Sequence, residues 1–143
     1  MPAWHLCRHP HADLSGDGAR RYGGRWNSVG RPMVYTASAA ALAILEVRMH
    51  LDIPPDLIPD DYVLMQIEVE DLSVEVMTAP PADPRAAGDA WLRQGRAALL
   101  QVPSLIVPET ANLLINPAHP QANAARIVAV RPFVFDRRLW LPL

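Results

Sequence analysis

The sequence contains no lysine and only one cysteine. All 13 of its basic residues are arginines, and with Cys7 alone the chain cannot form an intramolecular disulfide. Its net charge of -2 lacks the positive excess of proteins that bind DNA or RNA, so we expect no direct nucleic-acid binding. Because every basic residue here is an arginine, each one must be judged from its local setting.

Long apolar runs are also missing. The longest extends from Ala39 to Leu45, far short of the roughly 20 residues that span a bilayer. The N-terminus has no basic segment followed by an apolar one, and so does not resemble a signal peptide. We therefore expect a cytoplasmic protein with no membrane contact. Its 143 residues, 50% hydrophobic and 20% charged, predict one globular domain over residues 1–143.

The apolar pattern predicts two helices and several short strands. The first helix extends from Ala39 to Leu51 with Ser38 as its N-cap, and the second from Ala86 to Leu100. Strands are predicted over residues 4–8, 32–36, 62–69, 104–107 and 125–135, and residues 72–76 continue or pair with the third of these. Helices and strands do not alternate regularly, which predicts an α+β domain with small mixed or antiparallel sheets and flanking helices.

The segment from Gly23 to Leu51 holds three candidate functional residues. Arg25 follows two glycines that let the backbone approach a ligand, and its guanidinium can bind phosphate oxygens at two points. Tyr35 ends a predicted strand, where its ring can stack on a flat heterocycle. Glu46 interrupts an apolar helix, and a buried carboxylate is costly unless it is paired. Each residue also has a purely structural interpretation. Arg25 could be a surface arginine in a turn, and Tyr35 could complete the core. Glu46 and His50 could belong to the exposed face of an amphipathic helix.

A second polar group lies in VPSLIVPETANLLINPAHP, residues 102–120. Its four prolines restrict the backbone, so Ser104, Asn112 and Asn116 can be held in fixed positions. Asparagine-proline turns are also common on protein surfaces. Ser104 has no nucleophile-elbow sequence around it, which argues against covalent serine catalysis.

Near the N-terminus, His5, Cys7, His9 and His11 alternate in the sequence, and alternate residues of an extended strand share one face, which raises the possibility of a metal site. Zinc sites usually draw their ligands from separated segments in a compact geometry. We therefore expect no metal, with solvent-facing histidines beside a buried cysteine.

Together, GGRWNSVGRPMVYTASAAALAILEVRMHL and PSLIVPETANLLINPAHP resemble the RES-domain family, the toxins of a class of bacterial toxin-antitoxin pairs. The resemblance covers most of the chain, with both segments in the expected order. The family's Arg, Tyr, Glu and Ser fall on Arg25, Tyr35, Glu46 and Ser104, and His50 and Asn116 are weaker matches.

The resemblance implies an ADP-ribosyltransferase-like fold whose cleft, between small β-sheets, holds NAD+ as a substrate. It implies that Glu46 stabilises an oxocarbenium-like centre, as in glycoside cleavage. Arg25 would bind the pyrophosphate and Tyr35 would stack on or orient the nicotinamide-ribose end. Ser104 would position the substrate by hydrogen bonds, and the other NAD+-binding candidates are His50 and Asn116.

These expectations favour an NAD+-dependent ADP-ribosyltransferase whose acceptor is a protein. An NAD+ glycohydrolase or phosphorylase is the alternative, because the same bond is cleaved and only the acceptor differs. A non-catalytic module that binds a nucleotide or a protein is the second alternative. The resemblance also implies a partner, an antitoxin with a helix-turn-helix DNA-binding region.

Overall fold

The computed structural model describes residues 2–140. Within them lie seven strands, β1 (Pro2–Arg8), β2 (Val34–Ala37), β3 (Tyr62–Glu68), β4 (Val74–Val76), β5 (Leu99–Pro103), β6 (Ala111–Ile115) and β7 (Arg126–Pro132). The α-helices are α1 (Asp17–Tyr22), α2 (Ala40–His50) and α3 (Pro84–Gln94). Short 3-10 helices cover His9–His11, Pro55–Leu57, Ala122–Ala124 and Arg137–Leu139. None of the helices in this range has the length and hydrophobicity needed to cross a bilayer.

The strands form a mixed sheet in the order β4-β5-β6-β2-β1-β3-β7, antiparallel except for the parallel pair β4 and β5. The sheet is almost divided in its middle, because β1 and β2 share one paired position, Trp4 opposite Ala37. By contrast, β1 pairs with β3 along its whole length. Two small sheets therefore meet at one residue pair, and the predicted α+β class is confirmed.

The core covers both faces of this sheet. On one face, Met65 and Ile67 of β3 belong to the same buried cluster as Leu113 of β6. On the other face, Trp91 of α3 is buried in a cluster with Trp26. Helix α2 packs on β1 and β2, since its contacts with other elements are mainly to these two strands. Helix α2 and the cluster formed by Trp26 and Trp91 of α3 therefore flank the centre of the sheet.

Helix α2 agrees with its prediction to within one residue at each end, but the predicted cap is wrong. The N-cap is Ala39, and no side chain caps the helix. The hydroxyl oxygen of Ser38 instead accepts the Ala111 N–H at 3.3 Å, which ties the start of α2 to β6. A contact between distant segments has replaced the local cap.

Three other predictions also differ from the structure. Residues 104–107 are not a strand, because the Ser104 hydroxyl oxygen accepts two backbone N–H groups that follow it and turns the chain. The second helix ends at Gln94 instead of Leu100, because Leu99 already belongs to β5. Strand β4 pairs with β5 and not with β3, so it lies at the far edge of the sheet.

Candidate active site

A cleft of about 640 Å³ is lined by β1 and β2 where these strands meet at their single pair. Its other lining residues come from α1, the loop after α1, α2, the end of β5 with the loop after it, β6 and Pro80. Five of the candidate residues from the sequence line this cleft, namely Arg25, Tyr35, Glu46, His50 and Asn112. The near-division of the sheet thus coincides with the place where these side chains converge.

The loop of residues 23–31, here called the arginine loop, is held from inside by Asn27. This side chain is fully buried, and its amide nitrogen donates to the carbonyls of Ala19 at 2.8 Å and Arg31 at 2.9 Å. Its amide oxygen accepts the Tyr35 hydroxyl proton, while the Tyr35 oxygen accepts the Trp26 N–H at 3.0 Å. Tyr35 therefore fixes the loop through its hydroxyl while lining the cleft.

Close packing in this network explains one of the two glycines before Arg25. A Cβ at Gly24 would lie 2.6 Å from the Tyr35 hydroxyl oxygen and 2.9 Å from the Asn27 amide oxygen. The sequence suggested that this glycine lets a ligand approach the backbone, but in the structure the group that approaches it is the Tyr35 hydroxyl. Burial raises the pKa of Tyr35 to about 12, so the hydroxyl stays protonated at neutral pH and donates to Asn27.

Helix α3 supports the arginine loop from outside. A Cβ at Gly88 would overlap the Trp26 carbonyl, so only glycine permits this approach. The next residue, Asp89, accepts the N–H of Ser28 at 2.8 Å and the Ser28 hydroxyl proton, and Arg31 lies 3.8 Å away. Burial alone would raise the pKa of Asp89, but the Ser28 hydrogen bonds bring it below its usual value. The loop is thus clamped between Tyr35 and α3.

The arginine loop leaves the Arg25 side chain free of polar contacts that would hold it to other described residues. The Arg25 side chain is exposed and makes no hydrogen bond or ion pair with any other residue in the described range. Arg85 lies nearby, since its Nε donates to the Gly24 carbonyl at 3.3 Å. Both arginines line a second groove of about 520 Å³ that adjoins the cleft at Arg25. Sequence reasoning missed Arg85, because nothing in its local sequence relates it to Arg25.

Glu46 is held by Ser104. The Ser104 hydroxyl donates to Glu46 Oε1 at 3.0 Å, and its oxygen accepts the N–H groups of Ile106 at 3.1 Å and Val107 at 3.2 Å. Ser104 is 2% exposed and does not line the cleft, whereas Glu46 is partly exposed and does. The single proton of Ser104 is therefore directed at the carboxylate, which explains how a carboxylate is tolerated in an apolar helix.

The two weaker candidates differ from each other. His50 lies one turn after Glu46 on α2, is exposed and lines the cleft. Asn116 is not in the cleft and is 3% exposed. Its amide nitrogen donates to the Leu92 carbonyl at 3.2 Å, and its oxygen accepts the Ala118 N–H at 3.1 Å. These bonds join the end of β6 to α3, so Asn116 stabilises the fold around the site.

His5 is a cleft residue that sequence reasoning missed. It was expected to face solvent, but it is partly buried and lines the cleft. Its Nδ1 carries a proton and donates to the Tyr35 carbonyl at 2.6 Å, bridging β1 and β2. Burial lowers the pKa of His5, which keeps the ring neutral with an unprotonated Nε2. The alternation of His5 with His9 and His11 concealed this position, because only His5 lies in β1 and the other two lie in the 3-10 helix after it.

The remaining histidine and cysteine side chains of this segment stay apart from the cleft. His9 and His11 are exposed, and burial raises the pKa of Cys7 to about 11. No cluster of three or more His, Cys, Asp or Glu side chains within residues 2–140 has a geometry that could hold a metal ion.

The site combines opposite charges in one apolar concavity. A carboxylate positioned by Ser104 comes from α2, and an unpaired guanidinium comes from the arginine loop. The aromatic side chains of Trp4, Tyr22, Trp26 and Tyr35 also line it. Such an arrangement suits a substrate that carries phosphate groups and flat rings and that develops positive charge during reaction.

Comparison with known proteins gives consistent matches. The model of the RES domain matches residues 2–136. The chain is 42% identical to "Toxin Res" of Pseudomonas putida, across 98% of this chain and 100% of that protein. It is 45% identical to "Prs ADP-ribosylating toxin" of a Sphingobium species, across 89% of this chain and 86% of the relative.

Two further matches concern the mycobacterial protein MbcT. The "NAD(+) phosphorylase MbcT" of Mycobacterium tuberculosis is 38% identical over 78 residues, which is 50% of this chain and 42% of that protein. The crystal structure of the M. tuberculosis MbcT-MbcA toxin-antitoxin complex matches with a TM-score of 0.75 at 21% identity, covering 94% of this chain and 84% of the other. At that identity the structural match establishes a shared fold.

Proposed function

The chain belongs to the RES-domain family, and on that premise we propose that it is a toxin that cleaves NAD+ and transfers ADP-ribose to an acceptor. The observation that carries this proposal is the placement of Glu46, held by Ser104, in one cleft with the unpaired Arg25. Arg25 binds the pyrophosphate and Glu46 faces the nicotinamide ribose. The ring of Tyr35 lines the pocket for the nicotinamide end.

The bond that breaks joins the anomeric carbon of the ribose to the nicotinamide nitrogen. Its electron pair moves to the nicotinamide, which leaves as a neutral ring, and the positive charge passes to the ribose. Glu46 stabilises that charge, which is larger in the transition state than in the ground state. An oxygen or nitrogen of the acceptor then bonds to the anomeric carbon and loses its proton. The Ser104 hydroxyl acts indirectly, by orienting Glu46.

Glu46→Gln tests the carboxylate. The amide keeps the size of the side chain and removes its charge, so we expect nicotinamide release to fall at least about a hundredfold while NAD+ still binds. Nicotinamide is measured by chromatography and NAD+ binding by calorimetry. Glu109→Gln is the matched control, because Glu109 is exposed and does not line the cleft. Unchanged turnover in Glu46→Gln would show that the carboxylate has no such role.

For the acceptor, we propose a protein side chain. The Sphingobium relative, named for ADP-ribosylation of Prs, covers most of the chain at 45% identity, which supports this choice. Incubation of the chain with labelled NAD+ and lysate of the host cell tests it. Label on a protein band supports protein modification, and nicotinamide release with no labelled protein contradicts it.

Phosphorolysis is the second candidate. The groove beside the cleft brings Arg85 next to Arg25, and two guanidinium groups can hold a phosphate ion near the ribose. A relative over half of the chain is named for this reaction. The reaction predicts that nicotinamide release rises with inorganic phosphate and that ADP-ribose 1-phosphate accumulates. A rate independent of phosphate would exclude it.

We further propose that the chain pairs with an antitoxin that carries a helix-turn-helix DNA-binding region. The fold is shared with MbcT, whose crystal structure is a complex with the antitoxin MbcA, and this supports a similar pairing. Co-purification with the protein product of the neighbouring reading frame tests it. Purification of the chain without that protein, when both are produced together, would contradict the pairing.

A further inference from the structure

Three large apolar side chains line the cleft while remaining exposed to solvent, namely Tyr22, Met49 and Leu105. The two that lie near Arg25 and Glu46 in the sequence are Tyr22 and Met49. Tyr22, the last residue of α1, is 79% exposed, and Met49 of α2 is 63% exposed. Both line the same cleft as Glu46 and Arg25. Neither side chain belongs to a core cluster, and the Tyr22 hydroxyl has no hydrogen-bond partner in the described part of the chain. Core packing therefore does not account for them.

Their positions relative to the charged residues restrict what they can contact. Tyr22 precedes Arg25 by three residues, so their Cα atoms are at most about 10 Å apart. Met49 follows Glu46 by three residues, which places it about 4.5 Å further along the axis of α2. Both apolar side chains are therefore within reach of a ligand whose phosphates contact Arg25 and whose reacting ribose contacts Glu46.

NAD+ has a base on each side of its pyrophosphate. In the proposed reaction, the nicotinamide ribose must face Glu46, which commits one end of the molecule. The adenine at the other end is flat and largely apolar on its faces, and it gains most from an exposed aromatic ring.

We propose that Tyr22 stacks on the adenine of NAD+ and so forms a purine subsite on the Arg25 side of the cleft. This inference rests on the proposed function for the identity of the ligand. The subsite binds the part of NAD+ that does not react, so it increases affinity without changing the chemical step. It would bind AMP on its own, because AMP keeps both the adenine and a phosphate for Arg25.

Calorimetric titration with AMP tests the subsite without catalysis. The wild-type chain is expected to bind AMP, and Tyr22→Ala to bind it about tenfold more weakly, because a stacking contact is lost. Tyr22→Phe keeps the ring and is expected to bind AMP as the wild type does. Met49→Ala is the control, because Met49 is also an exposed apolar residue of the cleft but lies one turn from Glu46, at the end that binds the nicotinamide ribose. It is expected to bind AMP as the wild type does.

The same variants separate this inference from the proposed function. In nicotinamide-release assays, Tyr22→Ala should raise KM for NAD+ by the factor seen with AMP and leave kcat nearly unchanged. No AMP binding by the wild type, or equal binding by Tyr22→Ala, would overturn the subsite. If AMP binds as expected but the wild type releases no nicotinamide, the proposed reaction fails and the purine subsite stands. If Tyr22→Ala reduces only protein labelling, the ring contacts the acceptor and the inference is overturned.

Discussion

Tyr35→Phe separates the two contributions of Tyr35, because it removes the hydroxyl and keeps the ring in the cleft. The hydroxyl donates to the Asn27 amide oxygen and accepts the Trp26 N–H at 3.0 Å. Asn27 is 0% exposed and Trp26 is 7% exposed, so water has little access to the groups left behind. The substitution therefore creates one buried acceptor and one buried donor without partners.

Each of these unsatisfied groups costs about 1–3 kcal/mol, and we expect the free energy of unfolding to fall by about 3 kcal/mol in total. A domain with a typical stability of about 5–15 kcal/mol still folds after this loss. The arginine loop loses its inner support, so Arg25 is less well placed and KM for NAD+ should rise about tenfold. Because Glu46 and the Tyr35 ring are unchanged, kcat should change less than KM.

Urea unfolding and nicotinamide release measure the two effects. Tyr62→Phe is the matched control, because Tyr62 is also buried and its hydroxyl makes no hydrogen bond to another described residue. Equal unfolding midpoints for Tyr35→Phe and Tyr62→Phe would refute the reasoning, since the hydroxyl would then contribute nothing to the loop.

An alkaline titration gives a second readout. An unfolded tyrosine ionises near pH 10, whereas burial raises the pKa of Tyr35 to about 12 in the folded chain. Between these values the unfolded state has lost the proton that the folded state keeps, so stability falls as pH rises. Tyr35→Phe should lack this part of the decline. An identical decline in both proteins would show that Tyr35 does not titrate in this way.

Two further substitutions test the remaining supports of the cleft. Ser104→Ala removes the hydrogen bond to Glu46 and the acceptor of two backbone N–H groups, so we expect about 2–3 kcal/mol less stability in urea unfolding. In nicotinamide release, kcat should fall about tenfold with little change in KM. His5→Asn keeps a nitrogen that can donate across the split in the sheet. Because burial lowers the pKa of His5, the unfolded state alone gains its proton below about pH 6.5, and the wild type should lose stability from pH 7 to 5 more steeply than His5→Asn.

Ser73→Ala is the control for Ser104→Ala, since the Ser73 hydroxyl also bonds a side chain and a backbone N–H, but away from the cleft. It should lose stability and keep its kcat. An unchanged kcat in Ser104→Ala would mean that Glu46 does not need this partner. If His5→Asn and the wild type lose equal stability between pH 7 and 5, His5 is not the group whose protonation causes the loss.

Local patterns were sufficient to predict the elements that carry the site. The run of Ala and Leu before two prolines fixed α2, and an apolar stretch fixed the centre of β2, because both signals lie within a few neighbouring residues. Glu46 stood out as a carboxylate in an apolar helix, and the structure supplies its partner. The anomaly was readable from the sequence, whereas the compensating contact was not.

The unpredicted features depend on contacts between distant segments. Strand β6 (Ala111–Ile115) lies in a proline-rich stretch whose only predicted strand was residues 104–107, and it is a strand because β2 and β5 pair with its two edges. Helix α1 has six residues including a glycine, too few for a periodic signal. His5 enters the cleft because β1 and β2 separate beside it, and nothing in β1 itself encodes that separation.

The supports of the cleft also set the order in which it can form during synthesis. Arg25, Tyr35 and Glu46 leave the ribosome early, but Asp89 and Ser104, which hold their segments, follow 61 positions after Ser28 and 58 after Glu46. Strand β2 additionally needs β6 on its outer edge. A nascent chain therefore has no ordered cleft until β6 has been translated. If the chain consumes NAD+, copies that stop before β6 lack the cleft that the reaction needs.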